Sequence, residues 1–222
     1  MSPSPPSAPR KPPIRKAVAA ERAQDDAAKV VARERAIKAA AVDCIRRLGA
    51  RKVAVEDIAQ AAGVSRRTFY RFFPGRRAVM AAVVLDRLQA IADGVTRVLS
   101  RCQDFEESVV AGSLETMRLA TADKIYSSIV EEDHTLMLEQ QRPGPEGPLE
   151  HLFMSNWARV FAAARADGIL RPGITDHEAA EWIMDIHRLL ILREDMGEAQ
   201  KANVLRKFVL PSLVIESALP RN

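Results

Sequence analysis

The segment "GVSRRTFYRFFPGRR", residues 63–77, concentrates side chains that can bind an anion. It holds five arginines and four aromatic residues, and it has no acidic residue. An arginine can donate two hydrogen bonds at once to a guanine base, and the hydroxyl groups of Ser65, Thr68 and Tyr70 can donate to phosphate oxygens. The segment therefore predicts a surface that binds nucleic acid.

The residues around this segment predict a helix-turn-helix. A short helix is predicted over 55–62, Gly63 lets the chain reverse, and Ser65 can cap a second helix that carries the arginines. That second helix would lie in the major groove of DNA. The predicted DNA-binding residues are Val55, Ser65, Arg66, Arg67, Thr68, Tyr70, Arg71 and Arg76. Among them, Arg66 and Arg67 are expected near base edges, Arg71 near bases or phosphates, and Arg76 at a helix N-terminus that favours a phosphate.

The charge is unevenly distributed along the chain. Residues 1–87 carry 19 Lys/Arg against 8 Asp/Glu, a net charge of +11, whereas residues 88–222 carry 14 against 21, a net charge of −7. A basic first third on an acidic remainder indicates a polyanion-binding module attached to a body with another role. The alternative is that these charges are simply solvated at the surface and bind no polyanion.

The apolar spacing is helical almost to the end of the chain, and strand patterns are absent. A helix is predicted from about residue 26, and its apolar face is formed by Ile37, Ala40, Ala41, Cys44, Ile45 and Leu48. Further helices are predicted over 76–99, 104–122, 124–132, 134–141, 149–166, 175–194 and 198–217. Pro211 is expected to kink the last of these. The helix over 175–194 is apolar on several sides, which indicates self-association.

Residues 37–80, "IKAAAVDCIRRLGARKVAVEDIAQAAGVSRRTFYRFFPGRRAVM", resemble the DNA-binding domain of TetR-type transcriptional regulators. The resemblance is carried by Ile37, Ala40, Ala41, Gly49, Val55, Ile58, Ala59, Ala62, Gly63, Val64, Ser65, Thr68, Tyr70, Phe73 and Pro74. It implies an all-helical homodimer of about nine helices, in which the first three bind a palindromic DNA operator and the others bind a small effector and dimerise. The chain departs from the family at Ala54, where a capping Ser or Thr is usual, and at Arg67, where a small residue is common.

These observations together predict an all-α protein in three parts. Residues 1–25, rich in proline and basic, are expected to form a disordered arm that either touches DNA or is a solvated tail. Residues 26–75 are expected to form a three-helix helix-turn-helix DNA-binding domain, and residues 76–222 a larger helical domain for ligand binding and dimerisation.

The resemblance implies an effector pocket among the middle helices and a dimer contact near the C-terminus. The predicted pocket residues are Leu114, Met117, Ile125, Ile129, Met137, Phe153, Trp157 and Phe161. The predicted dimer residues are Trp182, Ile186, Leu189, Leu190, Phe208 and Leu213. Each of these residues is equally compatible with an ordinary place in the hydrophobic core, away from any pocket. Because no charge cluster suggests a phosphate or metal effector, an apolar effector is favoured.

Enzymatic, metal and membrane functions find no support in the sequence. It has no GxGxxG, GxSxG, HExxH or P-loop motif, and no two histidines have metal-ligand spacing. We therefore expect a cytoplasmic protein with no catalytic residue, cofactor, metal or membrane partner. Two alternatives stay open beside the effector-controlled repressor, namely a sequence-independent nucleic-acid-binding protein and a regulator without a small-molecule effector. Activation is open beside repression, and the operator sequence is not predicted.

Overall fold

The computed structural model describes residues 14–133 and 148–215. Within these residues the α-helices are α1 Ile14–Leu48, α2 Val55–Ala61, α3 Arg66–Phe72, α4 Arg76–Leu99, α5 Phe105–Ala122, α6 Lys124–Glu132, α7 Pro148–Ala166, α8 Asp176–Ile191, α9 Glu198–Val204 and α10 Leu210–Leu213. A 3₁₀ turn, Ala50–Lys52, lies between α1 and α2, and a π-helical turn, Leu205–Val209, lies between α9 and α10. The β-structure of the described part is a single isolated bridge between Leu170 and Val214. The predicted all-α fold class is confirmed.

The first three helices pack around a small apolar core. Ile37 on α1, Ile58 on α2 and Phe69 on α3 are each fully buried, and α1 contacts α2 and α4. The helix face predicted from the sequence spacing is buried as far as Ile45, but Leu48 is exposed because α1 ends there. This core holds α3 at the surface of the molecule.

Helix α4 joins the helix-turn-helix to the larger body. It contacts α1 on one side and α5, α6 and α7 on the other. The centre of the body holds the fully buried side chains of Phe161 and Ile183, with Trp157 at 1% exposure. Helix α4 is therefore the one continuous element that runs from the end of α3 into the body.

Several helices begin at a capping side chain that the sequence predicted. The Asp104 carboxylate accepts the Glu107 N–H at 2.7 Å at the start of α5. Thr175 and Glu178 form a reciprocal capping box at the start of α8, with the Thr175 N–H donating to the Glu178 carboxylate at 2.8 Å. These local signals place both helices correctly.

The boundaries of three helices differ from the prediction. Helix α1 begins at Ile14, well before residue 26, because the residues after the last proline of the arm are mostly strong helix formers such as alanine, arginine and lysine. Helix α8 ends at Ile191, three residues before the predicted end. The expected last helix is divided by the π-helical turn, and the predicted segments 1–13, 134–141 and 216–217 lie outside the described residues.

The division of the last helix follows from Pro211. Proline has no N–H, and its ring clashes with the carbonyl four residues earlier in an α-helix. In the structure the chain widens by one residue just before Pro211, and the Leu210 N–H donates to the carbonyl of Leu205. A distortion at Pro211 was predicted, and its form is a π-helical turn.

Candidate nucleic-acid interface

The turn between α2 and α3 is set by Gly63. Its φ of +63° lies in the left-handed region that favours glycine. The Gly63 N–H donates to the carbonyl of Gln60, and the Val64 N–H donates to the carbonyl of Ala59 at 2.9 Å. This pair of bonds is a Schellman motif, which closes α2 and redirects the chain towards α3.

Helix α3 is capped by Ser65, as predicted. The Ser65 Oγ accepts the backbone N–H of Thr68 at 3.1 Å, and the two hydroxyl oxygens lie 3.0 Å apart. The Thr68 hydroxyl is thereby oriented by the cap. The start of α3 is consequently well ordered at the residues expected nearest the DNA.

Helix α2 begins without a side-chain cap, as expected from alanine at position 54. The Asp57 carboxylate accepts the Ala54 N–H at 2.8 Å, which supplies half of a capping box. Asp57 thus offsets part of the loss at Ala54, and sequence reasoning had not assigned it this role.

The aromatic residues of α3 fix which of its faces is exposed. Phe69 is fully buried, and its ring contacts Phe73 at a centroid distance of 6.0 Å and Tyr70 edge-on at 5.7 Å. Tyr70 is 45% exposed. Arg66, Arg67 and Arg71 are all exposed, so the packing of Phe69 presents three guanidinium groups and a phenol to solvent.

Arg66 is held by two neighbours in the DNA-free chain. Its Nη1 lies 2.8 Å from the Glu56 carboxylate on α2, and its guanidinium lies 5.9 Å from the centroid of the Tyr70 ring. A hydrogen bond with Tyr70 and the negative charge of Glu56 raise the pKa of Arg66 above its ordinary value. Since both partners of the ion pair are more than half exposed, it contributes little stability, and opening it to free the Arg66 guanidinium costs little.

Two predicted DNA-binding residues have side chains directed into the protein. Val55 is buried, so a contact with DNA from this position would come from its backbone. The Arg76 guanidinium donates from Nε to the carbonyl of Val53 at 2.7 Å, and from Nη2 to the carbonyl of Ala50 and to the Glu132 carboxylate. These three partners belong to the chain itself, and they take the place of the phosphate that the sequence suggested.

The partners of Arg76 connect the helix-turn-helix to α6. Ala50 is the first residue of the 3₁₀ turn before α2 and Val53 directly follows that turn, whereas Glu132 is the last residue of α6. Beside this contact, Arg77 pairs with Asp133 at 3.1 Å, and the Ala50 N–H donates to the Ser128 hydroxyl at 3.3 Å. Sequence reasoning missed Glu132 because 56 residues separate it from Arg76.

The predicted pocket residues that the structure describes belong to the hydrophobic core or pack against it. Met117, Ile125, Ile129, Phe153, Trp157 and Phe161 are buried and Leu114 is half-buried, whereas Met137 lies outside the described residues. Phe153 and Trp157 stack at a centroid distance of 5.3 Å with an interplanar angle of 8°, and Phe161 lies 6.0 Å from Trp157. The structure brings these three rings together.

A separate cleft of about 310 Å³ lies between the C-terminal part of α4, the start of α5 and α7. Its walls include Leu99, Phe105, Arg159 and Val160. None of the predicted pocket residues lines this cleft.

The predicted dimer residues divide into two groups. Leu190 and Leu213 are buried within the chain at 5% and 2% exposure, so they belong to its own core. Trp182, Leu189 and Phe208 are 41%, 60% and 68% exposed, and Ile186 is half-buried. The exposed residues form a set of large apolar side chains on α8 and the π-helical turn.

Neither a membrane span nor a metal cluster is found in the described ranges. None of the helices there combines the length and apolar character needed to cross a bilayer. Within the same ranges, no group of three or more His, Cys, Asp or Glu residues is arranged to hold a metal ion.

Residues 37–83 match the family of bacterial regulatory proteins called the tetR family. No curated protein matches the chain. Among solved structures, FadR of Thermus thermophilus, a TetR-family transcriptional repressor in complex with lauroyl-CoA, aligns with a TM-score of 0.64 and 20% identity, over 85% of this chain and 99% of its own.

Two further solved structures have the same fold. NalD of Pseudomonas aeruginosa, the secondary repressor of the MexAB-OprM multidrug efflux pump, aligns with a TM-score of 0.53 and 21% identity, over 83% of this chain and 98% of its own. A TetR-family transcription regulator of Marinobacter aquaeolei aligns with a TM-score of 0.55 and 17% identity, over 87% and 98%. At these identities the structural likeness establishes the fold, and together with the match to residues 37–83 it confirms the resemblance seen in the sequence.

Proposed function

We propose that this chain, whose residues 37–83 match the tetR family of bacterial regulatory proteins, represses transcription by sequence-specific binding of its α3 helix to operator DNA. The observation that carries the proposal is the exposed face of α3, where Arg66, Arg67 and Arg71 project from a helix capped by Ser65 and fixed by buried Phe69. Bidentate contacts from arginine to guanine supply sequence specificity. We assign the protein no catalytic role and place its activity in the cytoplasm.

The DNA-bound species in this proposal is a homodimer on a palindromic operator. A two-fold dimer presents two α3 helices, which must lie about 34 Å apart, or a multiple of that distance, to enter successive major grooves on one face of DNA. Trp182, Leu189 and Phe208 provide exposed apolar surface for the dimer contact. Leu190 and Leu213 support that surface from within the chain, as their burial indicates.

We propose for each part of the chain the role that the sequence predicted. The basic residues before position 26, where residues 14–25 belong to α1, are an additional source of positive charge. Residues 26–75 read DNA, and residues 76–222 bind the effector and dimerise. Helix α4 begins at that boundary and contacts helices on both sides of it. It is therefore the element through which the two parts influence each other.

Release from DNA would follow a shift between two dimer states. An effector that binds more tightly to the state with a wider α3 spacing moves the population away from the DNA-binding state. Asp123 lies between α5 and α6 and caps α6, and Glu132 at the other end of α6 pairs with Arg76. This path connects the centre of the body with the start of α4.

We propose an apolar effector. The stacked rings of Phe153 and Trp157, with the tilted ring of Phe161 beside Trp157, offer an apolar environment in the centre of the body. The structurally similar FadR of Thermus thermophilus is in complex with lauroyl-CoA, whose acyl chain is apolar. Both observations favour an effector with a large apolar part.

Selection of bound sequences from random duplex DNA, followed by affinity measurements, tests DNA recognition. We expect a palindromic site that the wild-type protein binds about 10³-fold or more tightly than a scrambled duplex. Arg66→Ala and Arg67→Ala should relax selectivity at individual positions, each by about 1–3 kcal/mol. Arg101→Ala, an exposed arginine just beyond the far end of α4, is the matched control and should leave selectivity unchanged.

Equal affinity for the selected and scrambled duplexes would instead support the sequence-independent alternative. The effector is tested by comparing native and denatured masses and by adding any extracted small molecule back to the operator complex. Release of the operator supports the proposal. Operator binding that no extracted molecule weakens would favour a regulator without a small-molecule effector.

A further inference from the structure

The cleft between α4, α5 and α7 has the size of a small-molecule site. Its volume of about 310 Å³ lies at the lower end of the range for such sites, which is about 300–1,000 Å³. One wall is α7, where the lining residues from Ser155 to Ala164 recur in pairs every four positions and so share one helix face. This face extends over about 14 Å of the helix axis. The facing wall is the end of α4 with the start of α5, so the cleft is an elongated groove.

Part of the cleft wall is apolar. Leu99 and Phe105 line the cleft from the facing wall, and Val160 lines it from α7. The Phe105 ring lies 6.4 Å by centroids from the Phe161 ring, which lies 6.0 Å from that of Trp157. The cleft thus adjoins the buried rings of the body, and its apolar wall suits the hydrocarbon part of a ligand.

Most polar side chains of the cleft are already bonded within the protein. The Thr96 hydroxyl lies 3.0 Å from the side-chain carbonyl of Asn156, and the Asn156 amide donates to the Ala92 carbonyl at 3.0 Å. The Ser108 hydroxyl donates to the carbonyl of Asp104 at 2.8 Å. These bonds hold α4 against α7, and they leave the recognition of a ligand to the charged side chains of the cleft.

Arg159 is the one cation among the described residues that line the cleft. The residue is exposed, and within the described part of the chain it forms no hydrogen bond or ion pair. Arg165 on the same helix, by contrast, pairs with the Asp176 carboxylate at 3.0 Å. A free guanidinium beside an apolar surface suits a carboxylate, to which it can donate two parallel hydrogen bonds.

Two acids, Asp104 and Asp167, also line the cleft. The Asp104 carboxylate caps α5 by accepting the Glu107 N–H at 2.7 Å. Asp167 continues the path of α7, since its N–H donates to the Ala163 carbonyl at 3.0 Å. Eight helical steps place Asp167 about 12 Å from Arg159 along the helix axis. The cleft therefore offers one positive anchor, and negative charge farther along it disfavours a second anionic group.

We propose that this cleft binds the effector, and that the effector is a monoanion with an apolar body, such as a monocarboxylate, whose carboxylate pairs with Arg159. This inference rests on the proposed function, because it assigns to the bound molecule the release of the operator. Leu99, Phe105 and Val160 contact the apolar body. The effector then touches both α4 and α7, so its affinity depends on the spacing of these helices, and its binding shifts the population between the two dimer states.

The chain carries its own reporter of the cleft. Cys102 lines the cleft and is partly exposed, whereas Cys44 is fully buried. Burial raises the pKa of the Cys102 thiol, so alkylation of the full-length protein by iodoacetamide is followed in mildly alkaline buffer, where more thiolate is present. Peptide masses distinguish the two cysteines, and a ligand in the cleft should slow the reaction of Cys102.

Three probes with the same eight-carbon chain test the charge of the ligand. Octanoate is a monoanion, octanamide is neutral, and octanedioate is a dianion. We expect octanoate to protect Cys102 and octanedioate to bind at least about threefold more weakly than octanoate, the factor that an exposed pair of charges provides. Arg159→Gln should weaken the binding of octanoate by at least about the same threefold and leave that of octanamide unchanged. Arg101→Gln is the matched control, since this exposed arginine next to Cys102 does not line the cleft, and it should leave both affinities unchanged.

Two alanine variants test the location of the ligand. Ala163→Leu places a larger side chain in the cleft and should remove the protection of Cys102 by octanoate. Ala162→Leu makes the same change at the neighbouring position, which does not line the cleft, and should leave protection unchanged. Because both alanines are exposed, neither change disturbs the core.

The proposal is overturned if octanoate leaves Cys102 unprotected or if octanedioate binds as tightly as octanoate. It is also overturned if the two arginine variants behave alike, or if the two leucine variants do. Octanoate is then added to the complex with the selected operator, whose affinity it should weaken more in the wild type than in Arg159→Gln. Protection of Cys102 without any loss of operator affinity would refute the role as effector.

Operator selectivity of the probe-free protein is measured in parallel. Normal selectivity without protection of Cys102 means that the cleft is wrongly assigned and that the DNA-binding function stands. Absent selectivity means that the proposed function itself fails, whether or not octanoate binds.

Discussion

Replacing Arg76 by alanine distinguishes an internal role for this side chain from a contact with DNA. In the structure the guanidinium donates to the carbonyls of Ala50 and Val53 and to the carboxylate of Glu132. A hydrogen bond with a charged group contributes about 1.5–3 kcal/mol when it is buried. The Arg76 side chain is 33% exposed, so water recovers part of this, and we expect the free energy of unfolding to fall by about 3 kcal/mol.

A loss of this size lowers the unfolding midpoint of a chain of this length by about 6–12 °C, which calorimetry measures. The control is Arg77→Ala, which removes a more exposed ion pair with Asp133 and should cost about 1 kcal/mol or less. The salt dependence of operator affinity supplies the second measurement. Each arginine on a phosphate contributes about one unit to the slope of log K against log salt. Because the dimer carries two copies of each residue, the slope should fall by about two in Arg71→Ala, if Arg71 contacts phosphate, and stay unchanged in Arg76→Ala.

The reasoning about Arg76 is refuted if Arg76→Ala lowers the salt slope by about two, one unit for each subunit of the dimer, while the unfolding midpoint stays at the wild-type value. That result would mean that the guanidinium leaves its carbonyl partners and binds DNA. An equal loss of stability in Arg76→Ala and Arg77→Ala would also contradict it, because the backbone carbonyls of Ala50 and Val53 would then contribute nothing.

Three further changes give expected outcomes of defined size. Ser65→Ala removes the cap on the Thr68 N–H and should lower the free energy of unfolding by about 1 kcal/mol in urea titrations, with weaker operator binding. Gly112→Ala places a methyl group 3.0 Å from the Trp157 ring and should cost about 1 kcal/mol net, since overpacking outweighs the gain in helix propensity, and it should change the indole fluorescence. Burial lowers the pKa of His187 from 6.5 to about 4, so the unfolded chain takes up the proton first as pH falls. Stability should therefore be constant above about pH 6.5 and decrease by about 3 kcal/mol towards pH 4 in urea titrations, and His187→Gln should remove this part of the pH dependence.

The helix-turn-helix could be predicted because its signals are local. Gly63 and Ser65 set the turn and the cap through bonds to residues at most five positions away. The same holds for the capping box of Thr175 and Glu178. Spacing within one or two turns of helix carries this information, so a single sequence reveals it.

The internal partners of Arg76 and the burial of His187 without a hydrogen-bond partner for its Nε2 among the described residues could not be predicted, because they depend on the packing of distant segments. Arg76 and Glu132 meet only when α6 lies against the turn before α2, and no local pattern encodes that approach. His187 lies on a helix whose apolar character was recognised, but the neighbours of its ring come from α7. Predicting that a side chain is buried does not predict whether its polar atom finds a partner.

The π-helical turn over 205–209 determines the directions in which the side chains of α10 project. One extra residue in a helical turn rotates everything that follows by about 100°. After the turn, the Ser212 hydroxyl accepts the Trp182 indole N–H at 2.9 Å, and the carbonyl of Pro211 accepts from Arg171 at 2.7 Å. Deleting one residue from this turn would rotate α10 away from both partners and change the direction in which Phe208 projects. If these residues form the dimer contact, insertions and deletions here can adjust the angle between two subunits, and with it the operator spacing they accept, without any change to the helix that reads DNA.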